Sequence, residues 1–104
     1  MKALIAGTDE YAIEAPIRAE GHDVTTVEIG DSDSLEAAGI AAADVYLLTE
    51  MSQATSIAIA KEHNPDVRVV VYAEGSLPEF ATPQADLVVD PALLDPATVA
   101  EELD

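Results

Sequence analysis

Five short apolar runs, each ending in a polar or glycine-containing turn, divide the chain at intervals that suit strands alternating with helices. Residues 3–6 (Ala-Leu-Ile-Ala) show no polar alternation and stop at Gly7, as a strand buried on both faces does. The second run, residues 24–29, is rich in β-branched side chains, and the third covers residues 44–49. The fourth covers residues 67–73, with Val69-Val70-Val71 predicted to be fully buried, and the fifth is short, residues 86–89. Between the first two runs, Ile13 and Ile17 stand at i and i+4 with Ala12, Ala15 and Ala19 beside them. Pro16 removes an amide donor there, so this helix either kinks or starts near Ala15 after a longer loop, and Gly21 closes it.

A second helix over residues 35–38 is led by Gly30-Asp31-Ser32-Asp33-Ser34, with Asp33 and Glu36 at capping-box spacing and Gly39 as its stop. A third, about residues 52–63, carries Ala54, Ile57, Ala58 and Lys61 at helical spacing and ends at Asn64-Pro65. Residues 74–84, with Gly75, Pro78 and Pro83, have room for a loop and at most a helical turn or two. Asp95-Pro96 is an N-cap and N1 pair for a closing helix over residues 97–103. This alternation predicts an α/β fold: one three-layer, Rossmann-like domain over residues 1–104, of flavodoxin-like size. Its parallel sheet has about five strands, in the order 2-1-3-4-5 that right-handed crossovers favour.

Composition narrows the picture. The 104 residues are 49% hydrophobic but only 4% aromatic, so the core must be aliphatic and rich in alanine. No run approaches a membrane span and the amino terminus lacks the shape of a signal peptide, which predicts a cytoplasmic protein. Without cysteine there are no disulfides, thiolate metal sites or cysteine nucleophiles. Four Lys and Arg against 21 Asp and Glu give a formal charge of −17, a field that repels nucleic acid and anionic lipid. The acids are scattered through every segment rather than gathered in a tail. They fit the surface of a salt-adapted, halophilic protein, or one that meets a basic partner.

The candidate chemistry lies in the opening β-α-β unit. Gly7 stands at the first strand-to-helix turn and Glu28 at the end of the second strand, the places where a dinucleotide-binding domain holds pyrophosphate and ribose. Four passages extend the comparison: Gly21-His22-Asp23-Val24; Gly30-Asp31-Ser32-Asp33 with Leu35-Glu36-Ala37-Ala38-Gly39-Ile40; Ala43-Asp44-Val45 through Thr49; and Ala60-Lys61-Glu62-His63-Asn64-Pro65-Asp66-Val67-Arg68-Val69. In these the chain resembles the TrkA-N (RCK N-terminal, KTN) domains, which gate potassium transport by binding NAD(H) or adenine nucleotides. The resemblance implies a non-catalytic regulatory domain that takes NAD or an adenine nucleotide, without a metal. Gly7 and Thr8 would lie in the phosphate turn, Glu28 on the ribose, Asp31 and Asp33 in the adenine-side loop and Thr49 at the end of the third strand.

The chain departs from that pattern in three ways. The family's G-x-G-x-x-G is here Gly7-Thr8-Asp9-Glu10-Tyr11-Ala12, a helix and strand between the ribose acid and the Gly30 loop are missing, and no pore or regulatory domain is attached. Asp9 puts a carboxylate where backbone should approach phosphate. Two like charges 4 Å apart repel by about 4 kcal/mol at an effective dielectric near 20.

Other residues have structural readings beside functional ones. Thr8 and Asp9 suit helix capping. Asp31, Asp33 and Glu36 suggest either a hard-cation site or a capped helix start, and the lack of a complete calcium loop favours the cap. His22 and His63 have no partner at metal or triad spacing, and Ser52, Ser56 and Ser76 lack a nucleophile elbow. Tyr46 and Tyr72 read as sheet residues, with Tyr72 near enough to a strand end to line a crevice. A receiver domain has the same architecture, but needs a pair of acids after the first strand, a phosphorylatable Asp after the third and a Lys after the fifth. Ala6-Gly7, Thr49-Glu50 and Asp90-Pro91 supply none of these, and that reading is set aside. Two functions remain: a nucleotide-binding regulatory domain, or a ligand-free module for homodimerisation or protein interaction. No constellation of side chains points to an enzyme.

Overall fold

A computed structural model describes residues 1–103. Five parallel strands form one sheet: β1 (Lys2–Ala6), β2 (Asp23–Val27), β3 (Val45–Leu48), β4 (Arg68–Tyr72) and β5 (Leu87–Val89), in the order β2-β1-β3-β4-β5. The predicted architecture and strand order are both present. Helices α1 (Glu14–Ala19) and α4 (Pro96–Glu102) cover one face, over Ala3, Ile5, Val45, Leu47, Val70 and Tyr72. Helices α2 (Ser32–Ala37) and α3 (Thr55–His63) cover the other, over Leu4, Ala6, Tyr46, Leu48, Val69 and Val71. Central strands buried on both faces are why those runs show no polar alternation.

Pro16 does not kink α1. The helix starts late, at Glu14, so Pro16 falls in the first turn, where no intrahelical amide bond is lost. Asp9 accepts hydrogen bonds at Oδ1 from the amides of Ile13 (3.0 Å) and Glu14 (3.3 Å), and so caps the helix start. Gly21 follows the helix in the left-handed conformation, φ 89°.

The α2 cap lies two residues upstream of its expected position. Asp31, not Asp33, is the N-cap residue, accepting from the Ser34 amide at 3.4 Å, and the helix starts at Ser32. β2 ends at Val27, which leaves Glu28 and Ile29 in the following turn rather than in the strand. The third crossover opens with a 3₁₀ turn (Met51–Gln53) and β4 passes to β5 through residues 73–86 with only the 3₁₀ turn Thr82–Gln84. Asp95 caps α4, accepting from the Thr98 amide at 2.8 Å, with Pro96 at N1. Among the described residues, no helix is long and apolar enough to cross a membrane.

Candidate functional site

In an open parallel sheet, ligands bind in the crevice beyond the carboxyl ends of the strands, where the order reverses. Here that point lies between β1 and β3. Gly7 follows β1 with φ 108°, and its amide donates to Val27 O at 2.9 Å. A Cβ on Gly7 would collide with Thr49 Oγ1, so the turn closes this tightly only over glycine.

Thr49, 2% exposed, lies beneath the turn. Its hydroxyl donates to Thr8 O (2.8 Å) and is also 3.2 Å from Ala6 O, while its amide donates to Ala6 O at 3.0 Å. Glu50 extends over the same turn, and its Oε2 accepts from the Thr8 amide at 2.7 Å. Gln53 then ties down the β2–α2 turn. Its Nε2 donates to Glu28 O and its Oε1 accepts from the Gly30 amide, both at 2.8 Å. The turns after β1, β2 and β3 are thus stitched to one another.

The five residues expected to share a site are distributed over three places. Gly7, Thr8 and Glu28 line one cleft of about 310 Å³ between β1 and β2, together with Asp9 and Glu14. Asp31 borders a separate cleft of about 210 Å³ beside Gly30 and Gln53. It serves α2 as a cap, and its bond from Ser34 holds the carboxyl below the usual carboxylate range. Thr49 is buried with its hydroxyl committed to backbone. Glu50 and Gln53, which close the crevice, did not stand out in the sequence; their only signal was their place just after a strand end.

The charges are sorted along the sheet. All four cations lie toward the amino ends of the strands. Lys2 and Arg68 open β1 and β4, Arg18 binds Glu14 (2.8 Å) and Val24 O (3.0 Å), and Lys61 binds Val67 O (2.7 Å) and Asp86 (3.2 Å). The cleft at the carboxyl ends is lined by Asp9, Glu14 and Glu28, of which Glu14 is paired with Arg18. A phosphate entering it would meet like charge.

The tyrosines belong to the core. Tyr46 Oη donates to Ser56 Oγ at 2.7 Å, and burial pushes its pKa up to about 12. Tyr72 Oη donates to Leu94 O at 2.7 Å, and its ring meets Tyr11 edge-on with centroids 5.5 Å apart. His63 Nε2 lies 2.8 Å from Ser32 Oγ.

The chain belongs to a family of unknown function, DUF7126, whose profile matches residues 3–103. No curated protein matches it by sequence. Among solved structures it is similar to HP1043, an orphan response regulator of H. pylori (16% identity, 99% of this chain and 92% of that one, TM-score 0.76). It is similar also to the BeF3-activated DrrB receiver domain (20% identity, 98% and 92%, TM-score 0.74). A third is an atypical orphan response regulator described as having a phosphorylation-independent regulatory mechanism (16% identity, 98% and 91%, TM-score 0.73). At these identities the likeness shows the fold, which is that of receiver domains.

These findings correct the TrkA-N resemblance and the NAD-binding regulatory function drawn from it. The passages that carried it perform local structural tasks common to doubly wound sheets. Gly21 and Gly39 take positive φ beside helix ends, Asp31 caps a helix, and Asn64 follows α3 as its C-cap. Such punctuation identifies the architecture, not the ligand. The receiver architecture was set aside on its missing acids, yet it is the one the solved neighbours share. Those acids bear on phosphorylation rather than on the fold.

Proposed function

We propose that this domain is a pseudo-receiver: a receiver-fold module that signals by protein contact and takes no phosphoryl group. The observation that carries the reading is Thr49. It stands directly after β3, where a phosphorylatable receiver needs its Asp, and its hydroxyl is spent on Thr8 O (2.8 Å) beneath a turn that Gly7 closes. A buried hydroxyl bonded to a backbone carbonyl is neither a carboxylate nucleophile nor open to a phosphodonor. The other two requirements fail in the same region. Gly7 stands where a receiver has an acid after β1, and Asp90 stands where it has the lysine after β5, so the receiver's acid pair and its phosphate-neutralising cation are both replaced. Glu50, the residue after Thr49 in the chain, already accepts the Thr8 amide at 2.7 Å. The orphan regulator with a phosphorylation-independent mechanism is a precedent on this fold for output without phosphate.

The test is intact-mass spectrometry after incubation with acetyl phosphate and magnesium, beside a phosphorylatable receiver as positive control. The expected result is no phosphoryl adduct on this chain. An adduct on any residue of the β1–β3 crevice refutes the proposal.

A further inference from the structure

The outer edge of the sheet at β5 differs from that at β2. β2 reads Asp-Val-Thr-Thr-Val, a polar edge of the kind that discourages pairing. β5 reads Leu-Val-Val, and its register against β4 pairs Val88 with Val71. Val88 lies on the α3 side and is 47% exposed, because the β4–β5 crossover carries no helix to cover it. On the other side a groove of about 340 Å³ runs between the edge and α4. Leu87, Val89, Leu94 and Val99 line it, with Arg68 and Glu102 beside them. Both faces of this edge therefore offer apolar contact to side chains that alternate along an added strand.

Charge selects the occupant. Asp86 and Asp90 bracket β5, four residues apart. Asp86 receives both of its bonds, from the Val69 amide (2.7 Å) and Lys61 (3.2 Å), at Oδ2, which leaves Oδ1 for an incoming cation. Asp90 is exposed, and its carboxylate accepts the nearby Ala92 amide at Oδ1. A second copy is a poor fit. Two-fold symmetry makes edge pairing antiparallel about Val88 and brings each Asp86 opposite the other copy's Asp90, between chains that each carry −17. An extended segment with apolar residues between two cations four apart reverses both penalties.

We infer that the β5 edge and its adjoining groove are a docking site for such a segment of a basic partner protein, bound by strand addition. The inference rests on reading the domain as a contact module and supplies the chemistry of its partner.

The probe is an acetylated, amidated peptide, Lys-Val-Thr-Val-Lys, titrated into the ¹⁵N-labelled protein. Its isomer Lys-Lys-Thr-Val-Val and the acidic Glu-Val-Thr-Val-Glu serve as controls. Amide shifts are expected at residues 86–90 and along the groove at Leu94 and Val99, with binding at least fivefold weaker for either control. Val88→Lys and Leu94→Ser should each weaken binding at least fivefold while leaving the thermal midpoint within a few degrees of the parent. Equal binding of the isomer, or shifts centred on the acidic β1–β2 cleft, would mean non-specific charge attraction and overturn the proposal. Loss of the β5 amide signals with a doubled mass before peptide is added would assign the edge to a second copy and also overturn it. Either failure with acetyl phosphate still inert removes this docking site alone, whereas a phosphoryl adduct removes the contact-module reading itself.

Discussion

At the level of single residues, two positions control how the crevice is built. Gly7 combines a φ of 108° with a Cβ position already occupied by Thr49 Oγ1. Gly7→Ala should therefore cost about 3 kcal/mol, measured by denaturant unfolding, because left-handed strain and overpacking act together. Tyr46 contributes to the alkaline limit. Its folded pKa of about 12 lies above the ordinary value of 10.0, so the folded state keeps a proton that the unfolded state releases first. The share of stability that Tyr46 contributes should be complete below pH 10 and lost as pH rises through about 12, roughly 3 kcal/mol for two units at about 1.4 kcal/mol each. Tyr46→Phe should flatten that decline in pH-dependent unfolding. At neutral pH it should cost about 1 kcal/mol, since Ser56 Oγ stays buried without its donor. A steep alkaline decline retained in the phenylalanine variant would place the titration elsewhere.

For secondary-structure elements, termini matter more than interiors. α4 has only seven residues and depends on its Asp95 cap, whose carboxyl is held below the usual range by its bonds to Thr98. Asp95→Ala should lower the thermal midpoint by roughly 5 °C at pH 7. The sign of the shift means that the gap narrows as pH falls below about 4, where the cap carboxylate is lost. Strands and helix stops were readable because burial on both faces and glycine or proline punctuation leave direct marks in the sequence. The α2 cap was misplaced by two residues because Asp31 and Asp33 are both competent caps, and only the path of the chain after Gly30 chooses between them. Glu28 read as the end of a strand because β-branched residues continue to Ile29, although pairing with β1 stops at Val27. The crevice was far less legible. Thr49, Glu50 and Gln53 act through bonds to backbone 23 to 43 positions away, and spacing along the chain does not encode such bonds. The sorting of cations toward the amino ends also becomes visible only once the strands are aligned.

For the whole molecule, 21 acids on a chain of 104 residues produce repulsion that the fold must overcome. Raising KCl from about 0.1 M, where screening extends over roughly 10 Å, to 1 M, where it extends over roughly 3 Å, should raise the thermal midpoint steadily. A flat or falling response would argue against salt adaptation and leave the acids to partner recognition alone. The same charge opposes an anionic ligand at the carboxyl ends of the strands. The β1–β2 cleft is lined by acids, the turns beside it are stitched together through Thr49, Glu50 and Gln53, and the β5 edge at the far side of the sheet remains uncovered. On the reading proposed above, the receiver fold persists here without phosphate chemistry. An amide NMR spectrum recorded with and without magnesium and beryllofluoride tests it most directly. Gly7, Thr8, Thr49 and Glu50 should keep their shifts under both conditions. Beryllofluoride-dependent shifts that cluster at those residues and extend toward β4 and β5 would contradict it.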